Sequence, residues 1–497
     1  MKDLQNKTPE NEPRLLGVLL TSFFLFFVWM LARSEGYVGD ADSLTHYKFS
    51  RYSWQFPEFL LHHWGKPVFT LLSSPFAQFG YEGVSVFNLL AGIGSSWLAW
   101  LSARRLGYSY RLMLPFLLFF TPIYTLLVIS GQVEVLFGFF IIATVYLCLD
   151  KKYLWAAVLI SFSPLVRTEG IIIIPIIGLF FLIRKQYRAL PWLLTGFVVY
   201  SIIGYFYFND IFWLINNMPY KGSSDVYGTG DLGYFFRLAP KIFGPGIIAL
   251  TLAGIILILG DLVRKRDQKA VDELILVVFP FVVYFMAHVV MWYSGIGRSL
   301  GLHRYMVAIV PVGALLALRA LSGINHFLTT RSGTKIPAMV FSILLLVVVV
   351  LTPFHNYQMP QKLSGMNKVM KEASDFMLQE NLDENKVYYY DPAFFYFLGL
   401  NPYDSIQSRA FVPRASEPHY NIREGEVVIW DGHFSPLLML QLGELQNSPY
   451  FEPVKVFEPR HPFQIFGTDY KVAIFRRNSL PADAQAQPQP AKQDQAP

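Results

Sequence analysis

Residues 15–33 read LLGVLLTSFFLFFVWMLAR, and the polar run Gly39-Asp40-Ala41-Asp42 follows a few residues later. An apolar run of this length can cross the roughly 30 Å hydrocarbon core of a bilayer as one helix. Carboxylates are costly close to hydrocarbon, so Asp40 and Asp42 beside the end of a membrane span form a functional-site hypothesis. The alternative is that the two acids solvate a loop or cap the next helix.

The composition of the whole chain indicates many such spans. Of its 497 residues, 53% are hydrophobic and only 15% are charged, whereas soluble domains carry about 25% charged residues. The chain is therefore predicted to be a polytopic α-helical membrane protein. Lys2, Lys7 and Arg14 precede the first apolar run without a small-residue cleavage site, so this span is expected to be retained. The net charge of +6 reflects basic loops, and no nucleic-acid partner is expected.

Hydropathy predicts about eleven spans. They cover residues 15–33, 83–103, 112–129, 133–149, 153–166, 170–184, 190–208, 244–260, 271–292, 305–321 and 336–353. Basic residues collect in alternate loops, on the side of the N-terminus: Arg104, Arg105, Arg111, Lys151, Lys152, Arg184, Lys185, Arg188, Arg264, Lys265, Arg266, Lys269, Arg331 and Lys335. The positive-inside rule makes that side cytoplasmic. Asp40, Asp42 and everything after residue 353 are then predicted to lie outside.

Three regions follow from this pattern. Residues 1–353 form the predicted transmembrane domain, whose long outer loop 34–82 mixes charged and aromatic residues in the manner of short interfacial helices. Residues 354–478 contain strand-like and helical runs and are predicted to form a small extracytoplasmic α/β domain. Residues 479–497 are of low complexity and are predicted to be disordered. The outer loop 209–243, rich in glycine and tyrosine, is interpreted either as a lid or as a plain connector.

Outer basic residues run against the positive-inside trend, so each needs a reason. Arg167 lies between two apolar runs, and Arg298, His303 and Arg304 precede the tenth span. The planar fork of arginine suits a phosphate. The alternative is an arginine that snorkels or pairs with an acid such as Glu169.

A further acid, Glu134, begins a predicted helix on the same face. It could be only a favourable charge at a helix N-terminus. Together, outer carboxylates and outer arginines suit one reaction type. A carboxylate takes a proton from an acceptor hydroxyl, while guanidinium groups stabilise a departing phosphate.

The layout resembles the polytopic GT-C glycosyltransferases, the superfamily of protein O-mannosyltransferases and lipid A aminoarabinose transferases. The matching pieces are Gly39-Asp40-Ala41-Asp42, Gln132-Val133-Glu134, Arg167-Thr168-Glu169-Gly170, with Thr168 in place of the usual proline, and His303-Arg304-Tyr305. The resemblance covers most of residues 15–353. It implies a polyprenyl-phosphate-linked sugar donor and an acceptor that is a lipid, a glycan or a protein.

The resemblance also implies roles for individual residues. Asp40 is expected to be the catalytic base, and Asp42 to orient it, contact substrate or, with Asp40, bind a divalent metal ion such as Mg²⁺ or Mn²⁺. Arg304, Arg298, His303 and Arg167 are expected to bind the donor phosphate. Glu134, His46, Lys66 and Tyr305 are assigned to substrate binding.

The expected location is the inner membrane of a bacterium, with a cytoplasmic N-terminus. The alternative functions are a membrane transporter or lipid flippase, and a receptor or assembly factor. Transporters usually place ionisable groups near the bilayer midplane, whereas the charges here cluster at predicted span ends.

Overall fold

A computed structural model describes residues 11–219, 228–265 and 267–479. The chain forms two compact units, with the boundary between Gln361 and Lys362. The low-complexity tail and the central part of the glycine- and tyrosine-rich loop, residues 220–227, lie outside the described residues, as do Lys2 and Lys7.

The first unit is helical throughout its described residues. Its first half contains helices Glu12–Arg33, Ala41–Tyr52, Pro67–Ala77, Tyr81–Arg105, Leu114–Phe119, Pro122–Leu127, Glu134–Leu149, Tyr153–Ser161, Ser163–Val166 and Gly170–Ile183, with 3₁₀ turns at Pro57–Leu61 and Arg111–Met113. Its second half contains helices Thr195–Phe208, Trp213–Asn216, Tyr234–Phe243, Pro245–Lys265, Gln268–Glu273, Phe279–Ser294, Val310–Ser332 and Ile336–Asn356, with 3₁₀ segments at Tyr187–Leu194 and His303–Ile309 and a π-helical segment at Leu274–Val278.

Seven helices in the described part of the chain are long and apolar enough to cross a membrane. They are Glu12–Arg33, Tyr81–Arg105, Tyr187–Phe208, Pro245–Arg264, Gln268–Ser294, His303–Ser332 and Ile336–Asn356. Three further predicted spans are present as shorter apolar helices, Glu134–Leu149, Tyr153–Val166 and Gly170–Ile183. The prediction of a polytopic helical membrane protein is confirmed.

The predicted single span at 112–129 is wrong in detail. This segment is instead broken into a 3₁₀ turn and the two short helices Leu114–Phe119 and Pro122–Leu127. Thr121 is extended, with φ −67° and ψ 119°, because a residue before proline is disfavoured in the α conformation. Hydropathy counts the apolar residues but does not detect this break.

Loop 34–82 contains three short helical segments, and two of them fix the position of the first acids. Helices Ala41–Tyr52 and Pro67–Ala77 pack together, and the hydroxyls of Ser50 and Ser73 are 2.7 Å apart in a buried contact. Phe69 is fully buried between them and the rest of the bundle. The helix that begins at Ala41 is therefore held against the bundle and is not a loose surface segment.

The second unit is an α/β domain. Its strands are β1 Val387–Tyr389, β2 Ser408–Ala410, β3 Val427–Asp431, β4 Phe451–Phe457, β5 Gln464–Ile465, β6 Thr468–Asp469 and β7 Val472–Arg477. Five of them form a sheet in the order β2-β1-β3-β7-β4, in which β1 is parallel to β2 and β3, and β7 is antiparallel to β3 and β4. Strands β5 and β6 form a separate antiparallel pair. The helical segments are Gly365–Gln379, Leu382–Glu384, Ala393–Phe397, Phe434–Leu437 and Leu442–Gln446.

Two buried acids, Asp391 and Asp431, meet inside this domain. The parallel register pairs Val387 with Val427, so its continuation brings Asp391 beside Asp431. Both carboxyls are buried, with 1% and 0% of their surface exposed. Burial and the neighbouring Asp431 raise the pKa of Asp391 to about 8, and burial also raises the pKa of Asp431. The pair therefore retains a proton at neutral pH.

Asp391→Asn is expected to stabilise the second unit at about pH 8 and to flatten the pH dependence of its stability. Because the pKa of Asp391 is raised to about 8 and an unfolded aspartate titrates near 4, stability falls as pH rises between these values. Asparagine has no such proton to lose. Pulse proteolysis of the full chain at about pH 5 and pH 8 measures the effect. Glu384→Gln, which changes an exposed acid, should show the same pH dependence of stability as the wild type. An unchanged pH dependence in Asp391→Asn would contradict the buried shared proton.

Candidate active site

Asp40 is held at the start of a helix by its own sequence neighbours. It caps helix Ala41–Tyr52, and its Oδ1 accepts a hydrogen bond of 3.1 Å from the Asp42 amide. Gly39 before it has φ +118°, and a Cβ at this position would lie 2.7 Å from Ser43 Oγ. Only glycine therefore allows the chain to enter the helix at this angle. The capping role that the sequence offered as an alternative is real, and the same carboxylate also faces the other acids and arginines.

The turn at residues 130–134 is fixed against the Asp40 segment by the helix that begins at Tyr81. Asn88 donates to the carbonyls of Ser130 and Gln132 at 2.6 and 2.7 Å. The Gly131 amide donates to the Tyr81 hydroxyl at 2.9 Å, and that hydroxyl donates to the Val38 carbonyl. A Cβ on Gly131 would lie 2.7 Å from the Ser43 carbonyl oxygen, so glycine is needed for this close approach.

Arg304 joins three acids from different parts of the chain. Its Nη1 lies 2.7 and 2.5 Å from the two carboxylate oxygens of Asp40. Its Nη2 donates to Asp42, and its Nε lies 3.4 Å from Glu134 Oε1. The Arg304 side chain is only 10% exposed, whereas that of Asp40 is 51% exposed. A buried guanidinium cation thus contacts a carboxylate that is accessible from outside.

Arg167 makes a second buried cationic centre. It donates to Glu134 at 2.6 Å and to Glu169 at 2.8 Å. Its guanidinium lies 4.5 Å from the ring centre of Tyr305, and that ring stacks on His288 at 4.9 Å. The structural pairing considered for Arg167 is therefore present.

The remaining groups of loop 34–82 approach the same cluster. The Lys66 amine lies 3.4 Å from the Thr168 hydroxyl. Burial lowers the pKa of Lys66 to about 8, with Glu169 opposing the shift. Burial lowers the pKa of His46 to about 3, so its imidazole is neutral at pH 7. Burial alone would raise the pKa of Asp42, but the charge of Arg304 outweighs it and the pKa of Asp42 is lowered.

The structure thus brings together most of the site residues predicted from sequence. Asp40, Asp42, Glu134, Arg167, Arg304 and Tyr305 are joined by the contacts above, with His46 and Lys66 beside them. His303 is half-buried next to Arg304, whereas Arg298 is exposed and φ is +52° at that residue. Arg298 makes no contact with the cluster among the described residues.

The donor set does not fit a resident divalent ion in this arrangement. The described ranges contain no group of three or more histidine, cysteine, aspartate or glutamate side chains able to hold a metal. Both oxygens of Asp40 and Oδ2 of Asp42, which a hard cation would use, are engaged by the Arg304 guanidinium.

Three contributors to the site were not singled out from the sequence. Gln132, known there only as part of a motif, donates to Asp40 Oδ1 at 2.6 Å. Tyr81 and Asn88 position the turn that carries it. For Asn88 the sequence signal was its position inside the otherwise apolar helix Tyr81–Arg105, because polar residues inside a span need partners.

The geometry joins an accessible carboxylate to fixed positive charge. Asp40 can accept a proton from a hydroxyl that approaches its open side. Arg304, Arg167 and Lys66 can stabilise negative charge that develops nearby. This combination suits the transfer of a group from a phosphate to a hydroxyl.

Comparison with known proteins identifies a family. Residues 66–318, just over half of the chain, match the sequence model of glycosyltransferase family 87. No curated protein matches the chain in sequence.

Two solved membrane glycosyltransferases share the fold. ArnT from Cupriavidus metallidurans, seen in an apo state and bound to undecaprenyl phosphate, superposes with a TM-score of 0.60 at 13% identity, over 95% of this chain and 99% of its own. The oligosaccharyltransferase of Archaeoglobus fulgidus in its apo form superposes with a TM-score of 0.52 at 12% identity, over 91% of this chain and 74% of its own. Both have the GT-C fold, so the fold expected from the resemblance is confirmed.

Glu134→Gln is expected to destabilise the protein by about 3–5 kcal/mol, because it removes the acid shared by two buried arginines. The glutamate is fully buried and its Arg167 partner is 8% exposed. The thermal unfolding midpoint in detergent measures the loss. Asp231→Asn, in the exposed Arg237–Asp231 pair, is the control and should leave the midpoint unchanged, because exposed ion pairs contribute little. Equal midpoints for wild type and Glu134→Gln would show that the buried network does not hold the site together.

Proposed function

The chain belongs to glycosyltransferase family 87, and on that premise we propose that it transfers a sugar from a polyprenyl-phosphate donor to an acceptor hydroxyl, with Asp40 as the base. The observation that carries the proposal is the contact of one guanidinium, that of Arg304, with both oxygens of a carboxylate whose side chain is 51% exposed. A base and an anion-binding group within one hydrogen bond of each other are what the reaction requires.

The donor is proposed to bind through its phosphate. ArnT, which shares the fold, is known in complex with undecaprenyl phosphate. Here Arg304 and Lys66 are the proposed phosphate ligands, with support from His303. Arg304 is engaged by Asp40 and Asp42, so an incoming phosphate must compete with these carboxylates.

The proposed sugar transfer needs only the donor, the acceptor and side chains of this protein. The acceptor hydroxyl gives its proton to Asp40, and its oxygen attacks the anomeric carbon of the donor sugar. The bond from that carbon to the phosphate oxygen breaks, and the electron pair leaves on polyprenyl phosphate. Arg304 and Lys66 stabilise the leaving group, and the configuration at the anomeric carbon inverts. A divalent ion at Asp40 and Asp42 would have to displace Arg304, which an EDTA arm in the transfer assay tests.

The reaction is proposed to occur on the extracytoplasmic face of a bacterial inner membrane. Asp40, Glu134, Arg167 and Arg304 all lie at helix ends that alternate along the chain with the basic loops. Because lysine and arginine collect on the cytoplasmic side, this alternation supports an outer position for the site.

Asp40→Asn is expected to abolish transfer while the protein remains folded and inserted, because an amide cannot accept the acceptor proton. Release of free polyprenyl phosphate from a panel of polyprenyl-phosphate sugars, with an envelope extract as the acceptor source, measures turnover. Glu82→Gln, at an exposed acid in the first turn of the next span, is the control and should retain full activity. Normal turnover by Asp40→Asn would remove Asp40 from the mechanism.

Binding of polyprenyl phosphate is expected to weaken as pH rises through about 8, because the pKa of Lys66 is lowered to about 8 and its amine then loses the charge that attracts phosphate. Lys66→Met should bind more weakly at neutral pH and show no such dependence. Titration of undecaprenyl phosphate into protein in nanodiscs measures both effects. A pH dependence that survives in Lys66→Met would assign it to another group.

A further inference from the structure

We propose that Gln132 is a positioning residue that selects Oδ2 of Asp40 as the oxygen that takes the acceptor proton. This inference rests on the proposed function, because it deepens the role of Asp40 as base. In this role Gln132 orients the Asp40 carboxylate, in addition to packing within the turn at residues 130–134.

The two oxygens of Asp40 have different surroundings. Oδ1 accepts from the Asp42 amide at 3.1 Å, from Gln132 Nε2 at 2.6 Å and from Arg304 Nη1 at 2.7 Å. Oδ2 accepts only from Arg304 Nη1, at 2.5 Å, among the described residues. A carboxylate oxygen has about two lone-pair sites, so Oδ1 is saturated and Oδ2 retains the capacity for a substrate hydroxyl.

Arg304 cannot make this distinction, because its Nη1 contacts both oxygens. The Asp42 amide also donates to Oδ1, at 3.1 Å, but this bond lies within the capping turn of the Asp40 helix itself. The shorter bond, from Gln132 Nε2 at 2.6 Å, holds Oδ1 against the turn at residues 130–134. Oδ2 is then the oxygen left for the substrate. A carboxylate oxygen can only accept a hydrogen bond, so the Gln132 amide must present its nitrogen to Asp40.

Gln132 is rigidly held for this task. Its side chain is 1% exposed. Its backbone amide donates to Ser130 Oγ at 3.2 Å, and its carbonyl accepts from Asn88 at 2.7 Å. A group positioned by a fixed backbone and a buried side chain loses little freedom when it orients a neighbour.

The oxygen atom of the Gln132 side-chain amide argues against a purely structural role. Gln132 Oε1 is buried and has no donor among the described residues. Buried polar atoms in a packing role are normally satisfied, and an unsatisfied one costs about 1–3 kcal/mol. An apolar side chain would fill the space without this cost, so the glutamine is explained by the single bond it makes to Asp40.

The test is Gln132→Met, which keeps the approximate length and volume of the side chain and removes its amide, and with it the hydrogen bond to Asp40. We expect kcat to fall about 10- to 100-fold, because the base is no longer held in the productive orientation. The KM for the polyprenyl-phosphate sugar should stay within about twofold, because the phosphate ligands are untouched. Gln132→Glu keeps the same shape but presents a carboxylate, and it should show the same loss.

Gln78→Met is the matched control. Gln78 is also a side-chain amide of this outer region, and it donates to the carbonyls of Arg51 and Ser74 without contacting Asp40. It should retain wild-type kcat.

The outcomes separate the inference from its premise. Loss of kcat at unchanged KM in both Gln132 variants, with normal Gln78→Met, supports the positioning role. Wild-type kcat in Gln132→Met, or equal losses in Gln132→Met and Gln78→Met, would overturn it while the glycosyltransferase proposal stands. No transfer by the wild type from any polyprenyl-phosphate donor would instead overturn the proposed function.

Discussion

The structure depends on burying two arginines and their acids at one end of an apolar helical bundle. An isolated charge in such surroundings costs several kcal/mol, and only close pairing offsets that cost. Arg304 and Arg167 share Glu134, and their other partners are Asp40, Asp42 and Glu169. Because these partners come from separate segments, the network ties loop 34–82, the turn at 130–134 and the start of a late helix together.

The same requirement gives the site its chemical asymmetry. Glu134, Gln132 and both arginines are buried, whereas Asp40 remains about half exposed. Buried charge therefore surrounds one accessible carboxylate. In a glycosyltransferase this arrangement allows positive charge to be in place before the leaving group develops its negative charge, so little reorganisation is needed during the reaction.

Some parts of the molecule were readable from local sequence. Apolar length predicted the helical membrane class and most spans, because crossing hydrocarbon imposes a length that hydropathy records directly. Strand-like and helical runs in residues 354–478 predicted an α/β domain, and the second unit is one. The prediction failed at 112–129, where Pro122 breaks the helix, since average hydropathy carries no information on the backbone conformation of single residues.

The sequence by itself determined that this is a membrane protein with acids and arginines at the ends of its spans, because the cost of charge in hydrocarbon is a property of each segment. Only the tertiary structure decided which of them meet. Arg304 and Asp40 are separated by 264 positions, and Arg298 remains exposed although it is only six residues from Arg304. The contact of Gln132 with Asp40 was likewise invisible, because a hydrogen bond depends on distance and direction in space, and these are set by the packing of the whole bundle.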